Sequence, residues 1–84
     1  MLPDPETIRK AAQAAAAELT GRIVKDRQKL VSSGLIDSLA VLKLISLLEK
    51  KLKIVIPPET LQPEDFDDVT LIVETIERVG RVGK

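Results

Sequence analysis

The residues of this chain that could take part in chemistry gather around one serine. Ser38 follows Asp37 where a long stretch without helical periodicity gives way to an apolar helical pattern. The start of a helix presents free backbone N–H groups and the positive end of the helix dipole, which together favour an anion. A serine hydroxyl there is well placed to carry a phosphodiester. Spacing alone favours a plainer interpretation, in which Asp37 or Ser38 only caps the helix.

Few other residues could support catalysis. The chain has neither cysteine nor histidine, which excludes Ser-His and Cys-His nucleophile pairs, disulfides and the usual zinc sites. An autonomous hydrolase or transferase would need a lysine or a carboxylate as the base beside Ser38. We therefore expect a chain that is not an enzyme and that binds no metal of its own.

Composition also argues against nucleic-acid binding. The 84 residues include 13 lysine and arginine residues and 13 aspartate and glutamate residues, and Phe66 is the single aromatic one. A chain without excess positive charge or stacking side chains is poorly equipped to bind a phosphate backbone or unpaired bases. The length fits one domain over 1–84, with a core of about 5–79 and a frayed tail over 80–84.

The chain shows no sign of membrane insertion. No segment approaches the ~20 apolar residues of a membrane span, and the first residues lack the regions typical of a signal peptide. We therefore expect a cytoplasmic protein, and a monomer.

The first helix and the connection after it frame Ser38 from one side. Asp4 should cap this helix, Pro5 should occupy its first position, and Gly21 should end it. The connection over 21–36 is long for a compact domain. We expect an ordered loop that lies across the helices, because apolar residues are spaced along it. These are Ile23, Leu30, Leu35 and Ile36.

The second helix, predicted over about 38–51, has a clear apolar side. Its core positions at helical spacing are Val41, Leu44, Ile45, Leu48 and Leu52. Leu39 and Leu42 lie on the opposite arc among lysines. Two leucines one turn apart next to the helix start indicate a contact surface.

The remainder of the chain should complete the core. We expect 54–56 to be a turn too short for a strand, and 62–66 to be one short helical turn that begins with proline. The last helix should begin near Asp67 or Asp68. Its apolar stripe consists of Val69, Ile72, Val73, Ile76 and Val79. Phe66 and Leu48 should share one core, with Leu44 and Ile72 nearby.

Charge is unevenly distributed although its sum is zero. Residues 43–53 contain four lysines and one acid, Glu49. Residues 59–77 contain seven acids and no base. An acidic run of this kind is usually a solvated face. The lysines are harder to dismiss, because they share an arc with Leu39 and Leu42.

Taken together, these motifs resemble the acyl carrier protein superfamily, which includes peptidyl, aminoacyl and D-alanyl carriers. The similarity covers about residues 5–79. It is carried by Gly-Leu-Ile-Asp-Ser-Leu at 34–39, the apolar helix that follows, Ile-Val-Ile-Pro at 54–57 and the Phe-x-x-Val-x-x-Ile segment at 66–72. The resemblance implies an all-α fold, a four-helix bundle with a short third helix and a long loop between helices one and two.

The resemblance also implies a function for Ser38. A separate phosphopantetheinyl transferase would attach 4′-phosphopantetheine there, and Asp37 would help to position the metal that the transferase uses. The arm would supply the thiol that this cysteine-free chain lacks. The protein would then carry an acyl or aminoacyl group as a thioester and present it to partner enzymes, among them a loading ligase or synthase.

One departure from the family pattern concerns the second helix. Carriers of fatty-acid synthesis generally have an acidic second helix, whereas this chain has Ala40 two places after the serine and Lys43, Lys50 and Lys51 where glutamate is frequent. We therefore expect a specialised carrier, similar to some stand-alone aminoacyl and D-alanyl carriers. The alternatives are an ordinary carrier of fatty-acid synthesis and, in another class, an unmodified helical interaction module.

The same departure predicts a docking face. We expect partners to bind an arc of the second helix, and we expect their contact surface to have an acidic or neutral rim around an apolar patch. This arc, called the docking arc below, consists of Leu39, Leu42, Lys43, Ser46 and Lys50.

Overall fold

The computed structural model describes residues 2–83, which form three α-helices and a two-stranded antiparallel sheet. In chain order the elements are α1 (Pro5–Thr20), α2 (Ser38–Leu52), β1 (Ile54–Val55), α3 (Val69–Val79) and β2 (Arg81–Val82). Two 3₁₀ helices, Pro58–Thr60 and Pro63–Phe66, occupy the connection between β1 and α3. None of the helices in this part of the chain has the length and apolar character needed to cross a membrane.

The helix ends follow local capping chemistry. The Asp4 carboxylate accepts the N–H of Thr7 at 2.7 Å and caps α1, as predicted. Gly21 ends α1 in the left-handed conformation, with φ of 73°. Asp68, one of the two predicted starts, caps α3 by accepting the N–H of Leu71 at 2.7 Å.

A single hydrophobic core joins the three helices. Phe66, Leu44, Leu48 and Ile72 are all fully buried in it, which confirms the predicted shared core. Helix α1 contributes Ile8 and three small residues, Ala12, Ala15 and Ala16. Because alanine is small, the axis of α1 can approach its neighbours closely.

The expected four-helix bundle is not confirmed, since residues 2–83 contain only three α-helices. The place of the short third helix is taken by the 3₁₀ helix Pro63–Phe66, which begins with proline as predicted. Only Asp67 and Asp68 separate this helix from α3. The four residues of Pro63–Phe66 can form the i→i+3 hydrogen bonds of a 3₁₀ turn but are too few for a regular α-helix.

The prediction of a turn at 54–56 was wrong for Ile54 and Val55, and the prediction of a frayed tail over 80–84 was wrong for residues 81–83. Ile54 pairs with Val82 and Val55 pairs with Arg81, and the N–H of Gly83 donates to the carbonyl of Lys53 at 2.9 Å. Two short segments form strands here because α3 returns the chain to the end of α2, which supplies each strand with a partner. Met1 and Lys84, the two ends of the predicted domain, lie outside the described residues.

The long connection between α1 and α2 is an ordered loop, as predicted, but one of its predicted anchors was wrong. Leu30 and Ile36 are buried and Leu35 is half-buried. Ile23 is 91% exposed, whereas the neighbouring Val24 is buried. Of these two adjacent residues the core takes Val24, and Ile23 points to solvent.

Candidate functional site

The start of α2 divides two tasks between adjacent side chains. Asp37 is the N-cap: its Oδ1 accepts the N–H of Ala40 at 2.8 Å, and its carbonyl accepts the N–H of Val41 at 3.0 Å. Ser38 is the first helical residue and is exposed. Among the side chains that the structure describes, none forms a hydrogen bond with its hydroxyl. Because Asp37 does the capping, the Ser38 hydroxyl is free for chemistry.

The helix end beside Ser38 favours an anionic substituent. The first N–H groups of a helix have no acceptor within the helix, and Asp37 takes only that of Ala40 among the first three. The first turn of α2 contains no acid, and the last turn contains Lys50 and Lys51. A negative group on Ser38 Oγ would therefore lie at the positive end of the helix, next to the Asp37 carboxylate, whose Oδ1 is engaged with the N–H of Ala40.

A mostly apolar cleft opens next to Ser38. It has a volume of about 290 Å³ and lies between α2 and the two 3₁₀ helices, with Ser38 among its lining residues. Its apolar lining includes Leu39, Leu42, Ile45, Leu61, Pro63 and Phe66. The cleft can shelter an apolar group attached at the start of α2. Sequence reasoning missed it because the cleft forms only when the proline-containing segment packs against α2.

The residues of the docking arc are exposed, and most of them lie together. Leu39 and Leu42 are 71% and 60% exposed. Four residues of the arc line a shallow depression of about 490 Å³ beside Leu19 and Leu47, namely Leu42, Lys43, Ser46 and Lys50. The fifth, Leu39, lines the cleft next to Ser38 instead. The structure thus places a hydrophobic depression with lysines at its side along α2.

The positive charge of the docking arc is not neutralised by its own helix. Glu49, the single acid among 43–53, turns toward the chain after α2, where its Oε2 accepts the N–H of Ile56 at 2.9 Å. Lys51 pairs with Glu18 of α1 at 3.3 Å. Among residues 2–83, Lys43 and Lys50 form no ion pair, so both remain available to a partner.

The acidic run over 59–77 is only in part a solvated face. Its four glutamates, Glu59, Glu64, Glu74 and Glu77, are exposed as expected. Asp68 is buried and, besides capping α3, accepts a hydrogen bond from Lys29 Nζ at 3.2 Å. Asp67 binds the loop that leads to Ser38. Nothing in the local sequence pattern indicated this role, because its partners lie more than thirty residues earlier.

Comparison with known proteins adds one finding. A family model described as "Phosphopantetheine attachment site" matches residues 10–77. This range contains Asp37, Ser38 and the whole of α2. The curated proteins and the solved structures gave no significant match.

Proposed function

Because the chain belongs to the phosphopantetheine attachment-site family, we propose that it is a single-domain carrier protein with its prosthetic arm on Ser38. Domains of this family are the site of covalent 4′-phosphopantetheine attachment. One observation carries the choice of residue: Ser38 is exposed at the first position of α2 while Asp37 satisfies the cap. Ser33, a nearby alternative, already donates its hydroxyl to the carbonyl of Lys29 at 2.6 Å.

The residues around Ser38 fit the phosphate of such an arm. In the attachment reaction Ser38 Oγ loses its proton and forms a bond to the phosphorus atom next to the pantetheine arm of the donor. The P–O bond of the donor's pyrophosphate linkage breaks at that phosphorus, and the other phosphate leaves with the rest of the donor. The free N–H groups of the first turn of α2 stabilise the resulting phosphodiester charge. Asp37 holds that turn in place and offers its carboxylate to the transferase. The bound arm supplies a terminal thiol for thioester formation.

A carrier role needs no catalytic base beside Ser38. Carrier domains work with a phosphopantetheinyl transferase and with loading enzymes, and the chemistry belongs to those partners. This chain contributes a fixed attachment point and an apolar cleft of about 290 Å³ that can shelter part of the cargo. Tethering raises the effective concentration of the cargo at a docked enzyme.

The charge of α2 supports a specialised pathway rather than housekeeping fatty-acid synthesis. Lys43 and Lys50 lie beside an apolar depression that includes Leu42. An enzyme surface with a basic rim, suited to acidic carriers, would meet like charges here. The cognate loading ligase or synthase should therefore present an acidic or neutral rim around an apolar patch. The carried group is an acyl or aminoacyl group.

Intact mass spectrometry tests the attachment site directly. Co-expression with a phosphopantetheinyl transferase should add the mass of one phosphopantetheine group to the wild-type chain, and Ser38→Ala should abolish the gain. The far-ultraviolet circular dichroism of Ser38→Ala should stay helical, because Asp37 and not Ser38 caps α2. Ser33→Ala and Ser46→Ala are matched controls that should still be modified.

Two results would contradict the proposal. Modification of Ser38→Ala at another serine would show that the attachment point is wrong. An unmodified wild-type chain would instead favour a helical interaction module, a reading that the exposed Leu39 and Leu42 would then support.

A further inference from the structure

One carboxylate oxygen fastens the loop in front of Ser38 to the start of α3. Asp67 Oδ1 accepts the N–H of Val31 at 2.8 Å, that of Ser32 at 2.9 Å and that of Leu30 at 3.2 Å. The N–H of Leu30 also donates to the backbone carbonyl of Asp67 at 2.6 Å. Successive backbone N–H groups that converge on one anion form a nest, a strong way to bind a carboxylate.

The electrostatics of this contact favour a charged Asp67. Partial burial, the largest single influence, raises the pKa of Asp67, but the N–H donors of Ser32, Val31 and Leu30 together lower it below its usual range. The carboxylate is therefore ionised at neutral pH, the form that binds the nest most strongly. Lys29, just before the bound turn, forms an ion pair at 3.2 Å with Asp68, the residue after Asp67. This ion pair is a second link between the loop and the start of α3.

The turn over 30–32 that Asp67 binds is connected to the attachment site by a short series of contacts. The carbonyl of Leu30 accepts the N–H of Ile36 at 2.9 Å, and both side chains are buried. Asp37 and Ser38 follow Ile36 directly. The position of the chain that enters α2 therefore depends on a turn whose backbone donors are held by Asp67.

We propose that Asp67 is a positioning residue for the modification of Ser38. Asp67 keeps the loop over 30–36 in the conformation that the transferase binds. This inference rests on the proposed function. Without the clamp, the loop populates other conformations, and the transferase binds only the fraction that is correctly arranged. The apparent affinity then falls in proportion to that fraction. Once bound, Ser38 is presented as before, so the effect belongs in KM and not in kcat.

Three variants test the proposal with purified transferase and its pyrophosphate donor. Asp67→Ala removes the acceptor, whereas Asp67→Asn keeps an acceptor oxygen without its charge. Asp65→Ala is the matched control, because the Asp65 carboxylate also accepts a backbone N–H, that of Gln62 at 3.0 Å, but forms no hydrogen bond with residues 30–36. Each variant is followed by the kinetics of Ser38 modification and by amide hydrogen exchange.

We expect a graded result. Asp67→Ala should raise KM for the carrier about tenfold, as for a loop correctly arranged in about one molecule in ten, and leave kcat unchanged. Exchange should accelerate at the amides of Val31, Ser32 and Ile36. Asp67→Asn should be intermediate in both measurements, and Asp65→Ala should match the wild type in KM even where its thermal stability falls.

The opposing outcomes separate the two proposals. A folded Asp67→Ala carrier with the wild-type KM, or with unchanged exchange at Ile36, overturns the positioning role and leaves the carrier function intact. An equal rise of KM in Asp65→Ala shows that general destabilisation is the cause, which also overturns it. A wild-type chain that takes no phosphopantetheine contradicts the proposed function, and the exchange rates still decide whether Asp67 holds the loop.

Discussion

Asp37 and Ser38 show how one residue can release its neighbour for chemistry. A serine at a helix start is normally an acceptable cap, and its hydroxyl is then engaged with the backbone. Here the Asp37 carboxylate binds the N–H of Ala40, and Ser38 lies one position inside the helix with its side chain exposed. The order Asp-Ser therefore matters. The cap precedes the reactive hydroxyl, which remains at the positive end of α2.

Replacing the Asp37 side chain should separate its structural role from its role in recognition. Asparagine caps helices about as well as aspartate, so Asp37→Asn should change the free energy of unfolding little, whereas Asp37→Ala should cost about 1 kcal/mol. If the carboxylate also serves the transferase, both variants should be modified more slowly than the wild type. Urea unfolding measures the first effect and the initial rate of mass gain measures the second. An Asp37→Asn carrier that is modified at the wild-type rate would reduce Asp37 to a cap.

The junction between α3 and β2 depends on the absence of a side chain. Gly80 has φ of −68° and ψ of 148°, a conformation open to any residue. The need for glycine is therefore one of space. A Cβ at this position would lie 2.6 Å from the carbonyl oxygen of Ile76, the same oxygen that accepts the N–H of Gly80 at 2.7 Å. The last turn of α3 and the start of β2 leave no room for a methyl group.

Gly80→Ala should therefore loosen the small sheet. The added methyl group must displace backbone, and overpacking of this kind costs about 1–3 kcal/mol. Urea unfolding should show the loss, and amide exchange should accelerate at Gly83, which donates to Lys53 across the sheet. Val82→Ala is the control, because Val82 is 56% exposed and its truncation should cost about 0.5 kcal/mol or less. Equal stability of Gly80→Ala and the wild type would mean that this junction adjusts freely.

Taken as a whole, the molecule is neutral in sum and polarised in distribution. On α2, Lys43 and Lys50 are exposed without an ion pair within residues 2–83, while Glu49 and Lys51 are engaged elsewhere in the fold. On α3, Glu74 and Glu77 are exposed. Because charges on a surface steer the approach of a partner, one face of the carrier should attract acidic surfaces although the net charge is zero.

Charge reversal on α2 tests whether this field selects partners. Lys43→Glu combined with Lys50→Glu should weaken loading by the cognate enzyme, mainly through the association rate, and the difference should shrink as salt is raised. Stopped-flow or initial-rate measurements at low and high ionic strength would show both effects. Enzymes that prefer acidic carriers should accept the variant at least as well as the wild type.

The matched control for this experiment changes the same amount of charge at another place. Lys10 and Lys25 are exposed lysines outside α2, and Lys10→Glu with Lys25→Glu should affect cognate loading much less. If both double variants load equally well at low salt, Lys43 and Lys50 are ordinary solvated residues. The charge of α2 would then no longer favour a specialised pathway.

Features that depend on neighbouring residues could be predicted from the sequence. The cap at Asp4 and the end of α1 at Gly21 involve contacts within about one helical turn, and the same local chemistry narrowed the caps of α2 and α3 to Asp37 or Ser38 and to Asp67 or Asp68. The apolar stripes also predicted which helix faces are buried, because helical periodicity repeats over a few residues. The local sequence therefore implies that a helix begins at the candidate attachment site, whereas the structure shows that Asp37 caps this helix and leaves Ser38 exposed.

Features that depend on distant pairs were decided by the tertiary structure. The pairing of β1 with β2 needs α3 to return the chain to the end of α2. The binding of residues 30–32 by Asp67 joins segments more than thirty residues apart. The cleft beside Ser38 needs the 3₁₀ helices to pack against α2. In each case the partners are far apart in the sequence and meet in the packed fold, and periodicity and capping carry no information about which distant backbone groups will meet.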